Sequence, residues 1–191
     1  MGKEFELKYA ATPEILAKVR ESFGEFTEIS METTYYDTSA GDLSAQKMTL
    51  RRRLENGVSV CTLKMPDGLH SRKEYETEAA TIEEAIETLS RLSGWLGLRT
   101  LAEQGLIPLC GARFTRLATT VTHQDCVVEI ALDSGVLLGG GREVPLCELE
   151  IELKSGNETT AIRYANLFAG LFQLRIEPKS KFARARALAT E

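Results

Sequence analysis

Apolar and polar residues alternate with period two through much of this chain, and a few longer stretches repeat every three to four positions. The first pattern predicts half-buried strands and the second amphipathic helices. Residues 3–9 place Glu4, Glu6 and Lys8 on one face and Phe5, Leu7 and Tyr9 on the other. Thr12-Pro13-Glu14 supplies an N-cap, a proline for the first helical position and an early acid, predicting a helix that Gly24 ends. A β-prone run covers 33–38. Runs over 48–54 and 58–64 flank Glu55-Asn56-Gly57 and predict a hairpin, because Asn-Gly suits the tight turns whose twist matches paired strands. Residues 72–78 alternate again, with Arg72, Glu74, Glu76 and Glu78 on one face.

Thr81 followed by Glu84 predicts a capping box for a helix over 82–96, with Ile82, Ala85, Ile86, Leu89 and Leu92 as its buried stripe. Further strands are predicted over 113–122, 126–133 and 146–153, with Gly139-Gly140-Gly141 in a turn between the last two. A helix is predicted over 158–172 and a short one from Ser180 to Ala189. No internal repeat or linker divides the chain. This order predicts a helix-decorated antiparallel sheet of about eight strands, the α+β class, as one domain over residues 1–191.

Composition narrows the classes. The chain has 191 residues, 43% hydrophobic and 27% charged, enough for a real core and unlike a disordered or rod-like chain. It has no apolar run of membrane-spanning length, and its charged start lacks a signal peptide's apolar stretch, so a soluble cytoplasmic protein with no membrane partner is expected. A net charge of -5 argues against nucleic acid as a partner but allows one local basic pocket. The four cysteines form no C-x-x-C pair and there are two histidines, a poor basis for zinc; reduced buried thiols are expected instead.

The strands carry their charges in an unusual way. Glu148, Glu150 and Glu152 project on one face about 7 Å apart, as do Glu4 and Glu6, and Glu74, Glu76 and Glu78. Arg51 and Arg53 on one hairpin arm, Lys64 on the other, and Lys8 and Arg72 in phase with the acids align the opposite sign. Solvated outer faces laced with ion pairs would explain any one of these strands. Their recurrence favours a shared concave surface, wet and ion-holding, because unpaired buried charges would cost several kcal/mol each. Carboxylates without histidine or thiolate suit Mg²⁺ or Mn²⁺, and arginine forks with lysines suit a polyanion. Together they make the two halves of a metal-dependent phosphate-ester or phosphoanhydride site.

At this point the motifs carry a resemblance. Glu4-x-Glu6-x-Lys8, Tyr35-Tyr36-Asp37-Thr38, Leu50-Arg51-Arg52-Arg53, Thr62-Leu63-Lys64 and Arg72-Lys73-Glu74-Tyr75-Glu76 occur in the order of the CYTH superfamily, the triphosphate tunnel metalloenzymes. Glu129 to Gly135, Cys147 to Leu153 and Ser180-Lys181-x-x-Arg184 continue it, so the chain resembles that family over nearly its whole length, most closely the bacterial inorganic triphosphatase branch. The resemblance implies an eight-stranded, closed antiparallel β-barrel that binds triphosphate and a divalent metal, Mg²⁺ or Mn²⁺. Glu4 and Glu6 with Glu150 and Glu152 would hold metal, Glu148 supporting, while Glu4, Glu6 and Lys8 would form the catalytic group. Lys8, Arg51, Arg53, Lys64, Arg72, Arg116, Lys181 and Arg184 would bind phosphates. Around Arg113 and Arg116 the spacing departs from the family, with Ala118 where a second base is expected.

The resemblance implies hydrolysis of a small-molecule triphosphate or polyphosphate (inorganic tripolyphosphate, or a nucleoside or thiamine triphosphate) by a monomer or homodimer. A class IV adenylyl cyclase and a non-catalytic polyphosphate-binding module are the alternatives. Because the chain stops shortly after Lys181, the helical histidine-rich domain of some relatives is not expected. Tyr35, Tyr36, Trp95, His70 and His123 read as packing residues, and the isolated cysteines as core thiols.

Overall fold

The alternating runs pair as one antiparallel sheet, and the amphipathic segments cover its apolar faces. The computed structural model describes residues 5–67 and 71–190. The first half comprises β1 (Glu6–Ala10), α1 (Pro13–Phe23), β2 (Thr27–Asp37), α2 (Asp42–Ala45), β3 (Thr49–Glu55), β4 (Val58–Asp67) and β5 (Ser71–Glu78). Then come α3 (Ile82–Ser93), α4 (Gly97–Gln104), β6 (Ile107–His123), β7 (Cys126–Gly139), β8 (Arg142–Gly156), α5 (Glu158–Phe172), β9 (Arg175–Ile176) and α6 (Lys181–Thr190). The strand order is β5-β4-β3-β2-β6-β7-β8-β1-β9. No helix among the described residues is long and apolar enough to cross a membrane.

Local chemistry sets these boundaries. The Thr12 side chain accepts the Ile15 N–H at 3.3 Å, and Thr81 that of Glu84 at 3.3 Å. The Glu84 carboxylate reaches back to the Ala80 N–H at 3.1 Å, one residue before the cap. Asn56 and Gly57 take φ of 50° and 88°, the left-handed pair that a two-residue hairpin turn needs. The helix predicted to reach residue 96 stops at Ser93, where Gly94 turns left-handed and donates to the Arg91 carbonyl. A separate helix, α4, follows.

Three clusters make the core. On the outer face of β1, β7 and β8, Leu149, Ile151 and Val128 pack on Leu16 and Val19 of α1 and on Ala161, Ala165 and Phe168 of α5. Leu50 and Leu63 of β3 and β4 pack on Leu89 of α3 and Leu98 of α4. The third cluster lies on the inner face: Met31, Tyr35, Phe114, Leu137 and Leu146 are covered by Ala185, Phe182 and Leu188 of α6. The α6 backbone comes so close that a Cβ on Gly139 would lie 2.2 Å from the Ala185 carbonyl oxygen. Gly139→Ala should therefore lower stability by about 1–3 kcal/mol through overpacking, as measured by urea unfolding.

The closed eight-stranded barrel expected above is corrected by the pairing. The sheet has nine strands, and among the described residues no ladder joins β5 to β1 or β9. The reason lies at β1, whose second edge is taken by β9: Tyr9 pairs with Ile176 and Ala10 with Arg175. The Glu177 N–H then donates to the Lys8 carbonyl at 2.8 Å. The sheet nevertheless curls strongly, since side chains of β5, at one end of the order, line the same cavity as those of β1 and β8.

Candidate active site

Register brings the charged faces together. In the β1–β8 ladder Glu6 lies opposite Glu152 and Lys8 opposite Glu150. In the β7–β8 ladder Asp133 lies opposite Glu148, and in β6–β7 Arg116 lies opposite Asp133. Arg51 and Arg53 of β3, Lys64 of β4, and Arg72 and Glu74 of β5 approach from the other side of the curl. They line a cavity of about 890 Å³, to whose wall the start of α6 also contributes. Eight basic and five acidic side chains line it, the reverse of the whole chain's 23 basic against 28 acidic.

The basic groups are only partly neutralised. Arg51 is buried, its Nε donating to Thr62 Oγ1 at 3.3 Å while Glu76 stands 3.7 Å off. Arg53 reaches Glu55 at 3.3 Å, but its buried Nε has no hydrogen-bond partner among the described residues. Burial, then the charges of Arg51 and Arg116, hold the Arg53 guanidinium below its ordinary pKa. Lys64 pairs with Glu74, and Lys8 lies 3.6 Å from Glu6. Arg52 has the opposite strand parity and bonds Ser59 Oγ at 2.9 Å, away from the cavity.

A tighter network sits under this ring. Arg116 grips Asp133 with two bonds of 2.8 Å and also donates to Glu150. Lys181 donates to Glu150 at 2.7 Å and to Glu148 and stands 2.8 Å from Asp133 as an ion pair, and Arg184 bonds Glu148. Burial alone would lower the Lys181 pKa, but Glu150, Asp133 and Glu148 outweigh it and raise it. Burial would likewise raise Glu150, yet Lys181 and Arg116 hold it well below the usual carboxylate range.

Of the residues singled out in the sequence, Glu6, Lys8, Arg51, Arg53, Lys64, Arg72, Arg116, Glu150, Glu152 and Lys181 line one cavity. Glu148 and Arg184 lie behind it in the ion-pair network, and Glu4 lies outside the described residues, as does His70. Arg113 is exposed and pairs with Glu143 at 3.1 Å, while Ala118 is buried. Tyr35 lines the cavity but is buried against Phe182, ring centroids 5.0 Å apart. His123 packs on Tyr164, and Trp95 on the α3–α4 cluster. The cysteines are unpaired, three buried and Cys147 half-buried, and burial pushes the Cys110 thiol up to about 11. Asp133 and Lys179 were not singled out individually. Asp133 shares the strand phase of Glu129, a signal that was available.

The anionic oxygen donors available to a cation are carboxylates. Glu6 and Glu152 offer carboxylate oxygens from opposed strand positions, with side chains 33% and 23% exposed. No histidine or cysteine lines the cavity among the described residues. That chemistry fits a hard, partly hydrated ion.

The cavity of this curled sheet is lined by acids and bases together, and that combination defines a class. The CYTH domain family matches residues 2–185, and the chain belongs to it. It is 36% identical over 166 residues to the inorganic triphosphatase of Haemophilus influenzae, covering 82% of this chain and 47% of that protein. The chain thus spans about half the length of the curated relative it matches. Among solved structures, the Hippeastrum protein HpAC1, described with a dominant triphosphatase activity, superposes with a TM-score of 0.73 at 20% identity, covering 98% of this chain and 97% of that one. A Pyrococcus horikoshii OT3 protein does so at 0.61 and 25% identity, covering 95% and 97%. The first likeness concerns the fold alone.

Proposed function

We propose that this chain hydrolyses a triphosphate in its charged cavity, with inorganic tripolyphosphate the preferred substrate and Mg²⁺ or Mn²⁺ required. The observation that carries this reading is the convergence of Arg51, Arg53, Arg116 and Lys64 on one cavity, with the buried Arg53 Nε lacking a hydrogen-bond partner among the described residues and its guanidinium pKa lowered by burial and then by like-charged neighbours. A dense anion relieves that repulsion. The likeness to an inorganic triphosphatase agrees with it. Residues 1–191 are read as one such unit.

In this reading the bases clamp the phosphate chain, and Arg116, held rigid by Asp133, faces charge developing on the leaving phosphate. Glu6 and Glu152 would hold the metal, with Glu4, outside the described residues, added from the Glu4-x-Glu6-x-Lys8 motif, and Lys8 would orient phosphate oxygens beside them. When bound, a divalent ion supplies charge neutralisation and an acidified water. No side-chain nucleophile is required.

Because the cavity wall spends its polar groups on phosphate, tripolyphosphate should turn over at least as well as ATP, with no cyclic AMP formed. Phosphate release from a panel of triphosphates with Mg²⁺ or Mn²⁺, scored by product chromatography, decides it. Cyclic AMP and pyrophosphate as the main products from ATP would overturn hydrolysis in favour of a cyclase. Tight tripolyphosphate binding without turnover under either metal would favour a binding module.

The basic ring gives a second check. Arg53→Ala should weaken tripolyphosphate binding at least tenfold, since a charge-assisted contact contributes about 1.5–3 kcal/mol. Arg52→Ala, on the outer face, should change it less than twofold. Calorimetric titration measures both, and equal losses would remove Arg53 from the site.

A further inference from the structure

Asp133, Glu148 and Glu150 are brought together by the β7–β8 register, with Glu150 following Glu148 on the same face. Each offers an oxygen, and the three oxygens lie within 4.8 Å of one another, the spacing of a cation site. All three side chains are buried. Carboxylates at this spacing repel strongly unless a cation or a shared proton stands among them.

That cation is already part of the chain. Lys181 Nζ stands 2.8 Å from Asp133 and 2.7 Å from Glu150, and it bonds Glu148 as well. The ammonium donates to Glu148 and Glu150 and ion-pairs with Asp133, so one cation serves all three carboxylates. Arg116 and Arg184 close the outside of the cluster, so three acids meet three bases. A divalent ion entering here would have to displace the ammonium and then face two guanidinium groups at close range. Lys181 is also firmly seated. Ser180 Oγ accepts the Ala183 N–H at 3.1 Å at the start of α6, Phe182 packs on Tyr35, and Nζ lies 5.3 Å from the Phe114 ring centroid.

We infer that Lys181 is a tethered cation that occupies the ion position of the Asp133–Glu148–Glu150 triad and excludes divalent metal from it in the substrate-free protein. In doing so it positions Glu150, and through Glu150 the Arg116 guanidinium at the cavity wall. The inference rests on the proposed metal-dependent function only for the choice of probe ion.

The test is Mn²⁺ binding to the full chain without any phosphate, counted by electron paramagnetic resonance of free Mn²⁺. Lys181→Met should gain one Mn²⁺ site per chain over the wild type, and Mn²⁺ should raise the Tm of this variant more than that of the wild type. Lys181→Met combined with Glu148→Gln should lose the gained site. Glu148→Gln in an otherwise native chain should leave the Mn²⁺ count unchanged, and it decides the matter if Lys181→Met does not fold. Equal counts in the wild type and Lys181→Met, or a Mn²⁺ site lost through Glu148→Gln alone, would overturn the inference. A wild type that binds no Mn²⁺ beside a Lys181→Met chain that binds one supports it, and counts against the metal requirement proposed above. The two readings therefore fail separately.

Discussion

Glu6→Gln should abolish tripolyphosphate turnover while the sheet stays folded. Glu6 stands opposite Glu152 with both side chains partly exposed, so the neutral amide relieves a like-charge contact and gives up the 3.6 Å pair with Lys8. What it removes is an anionic oxygen for a divalent ion. Residues that merely orient a metal ligand are worth roughly 10- to 100-fold, so a ligand itself should cost at least about a hundredfold in turnover. Glu152→Gln should behave alike. Glu150→Gln is a poorer probe, because it also loosens Lys181 and Arg116. Phosphate release beside urea unfolding checks the pair. Full activity in either variant, or wild-type activity undiminished by EDTA, would sink the metal-dependent mechanism.

Lys181→Met should cost stability where Glu6→Gln does not. Its ammonium is 10% exposed and is shared by three carboxylates, of which Asp133 and Glu148 are fully buried. Removing one partner of a buried pair leaves an uncompensated charge and typically costs about 3–5 kcal/mol. Lys154→Met is the matched control. Lys154 contacts Glu152 at 2.9 Å and Glu129 at 3.3 Å, but it is 39% exposed. An exposed pair contributes about 0–1 kcal/mol. Urea unfolding of both variants in metal-free buffer should therefore separate them clearly, and equal midpoints would show that the Lys181 network contributes no more than a surface pair.

Much of this was legible where one face of a strand is wet. Around β1, β3, β4, β5 and the middle of β8, inward positions carry charge and outward ones carry Leu50, Leu63, Leu149 or Ile151, so alternation reports the register directly. It fails where α6 covers the inner face. There Ala112, Leu137 and Leu146 face inward and the strand reads apolar on both sides, which hid the start of β6 at Ile107 and the extension of β7 to Gly139. Helix α4 has Leu96 at its N-cap position and no side-chain cap, leaving little local signal. The edge of β1 is filled by a two-residue strand, too short for any periodicity, and that strand decides whether the sheet can close. Within the site, the charged faces were readable but their pairing was not. That Lys181 meets carboxylates depends on where a distant helix docks.

The order of the ion-pair network along the polypeptide constrains how the protein can be made. Asp133, Glu148 and Glu150 leave the ribosome before α5 and β9, and two of their three counter-cations, Lys181 and Arg184, come only after those elements. Until then β7 and β8 carry a cluster of acids with Arg116 alone to oppose it. Pairing those strands at their final register early would bury net negative charge, so cotranslational folding is biased to postpone their consolidation. The charge balance of β7 and β8 is thus complete only once the segment that carries α6 has been synthesised.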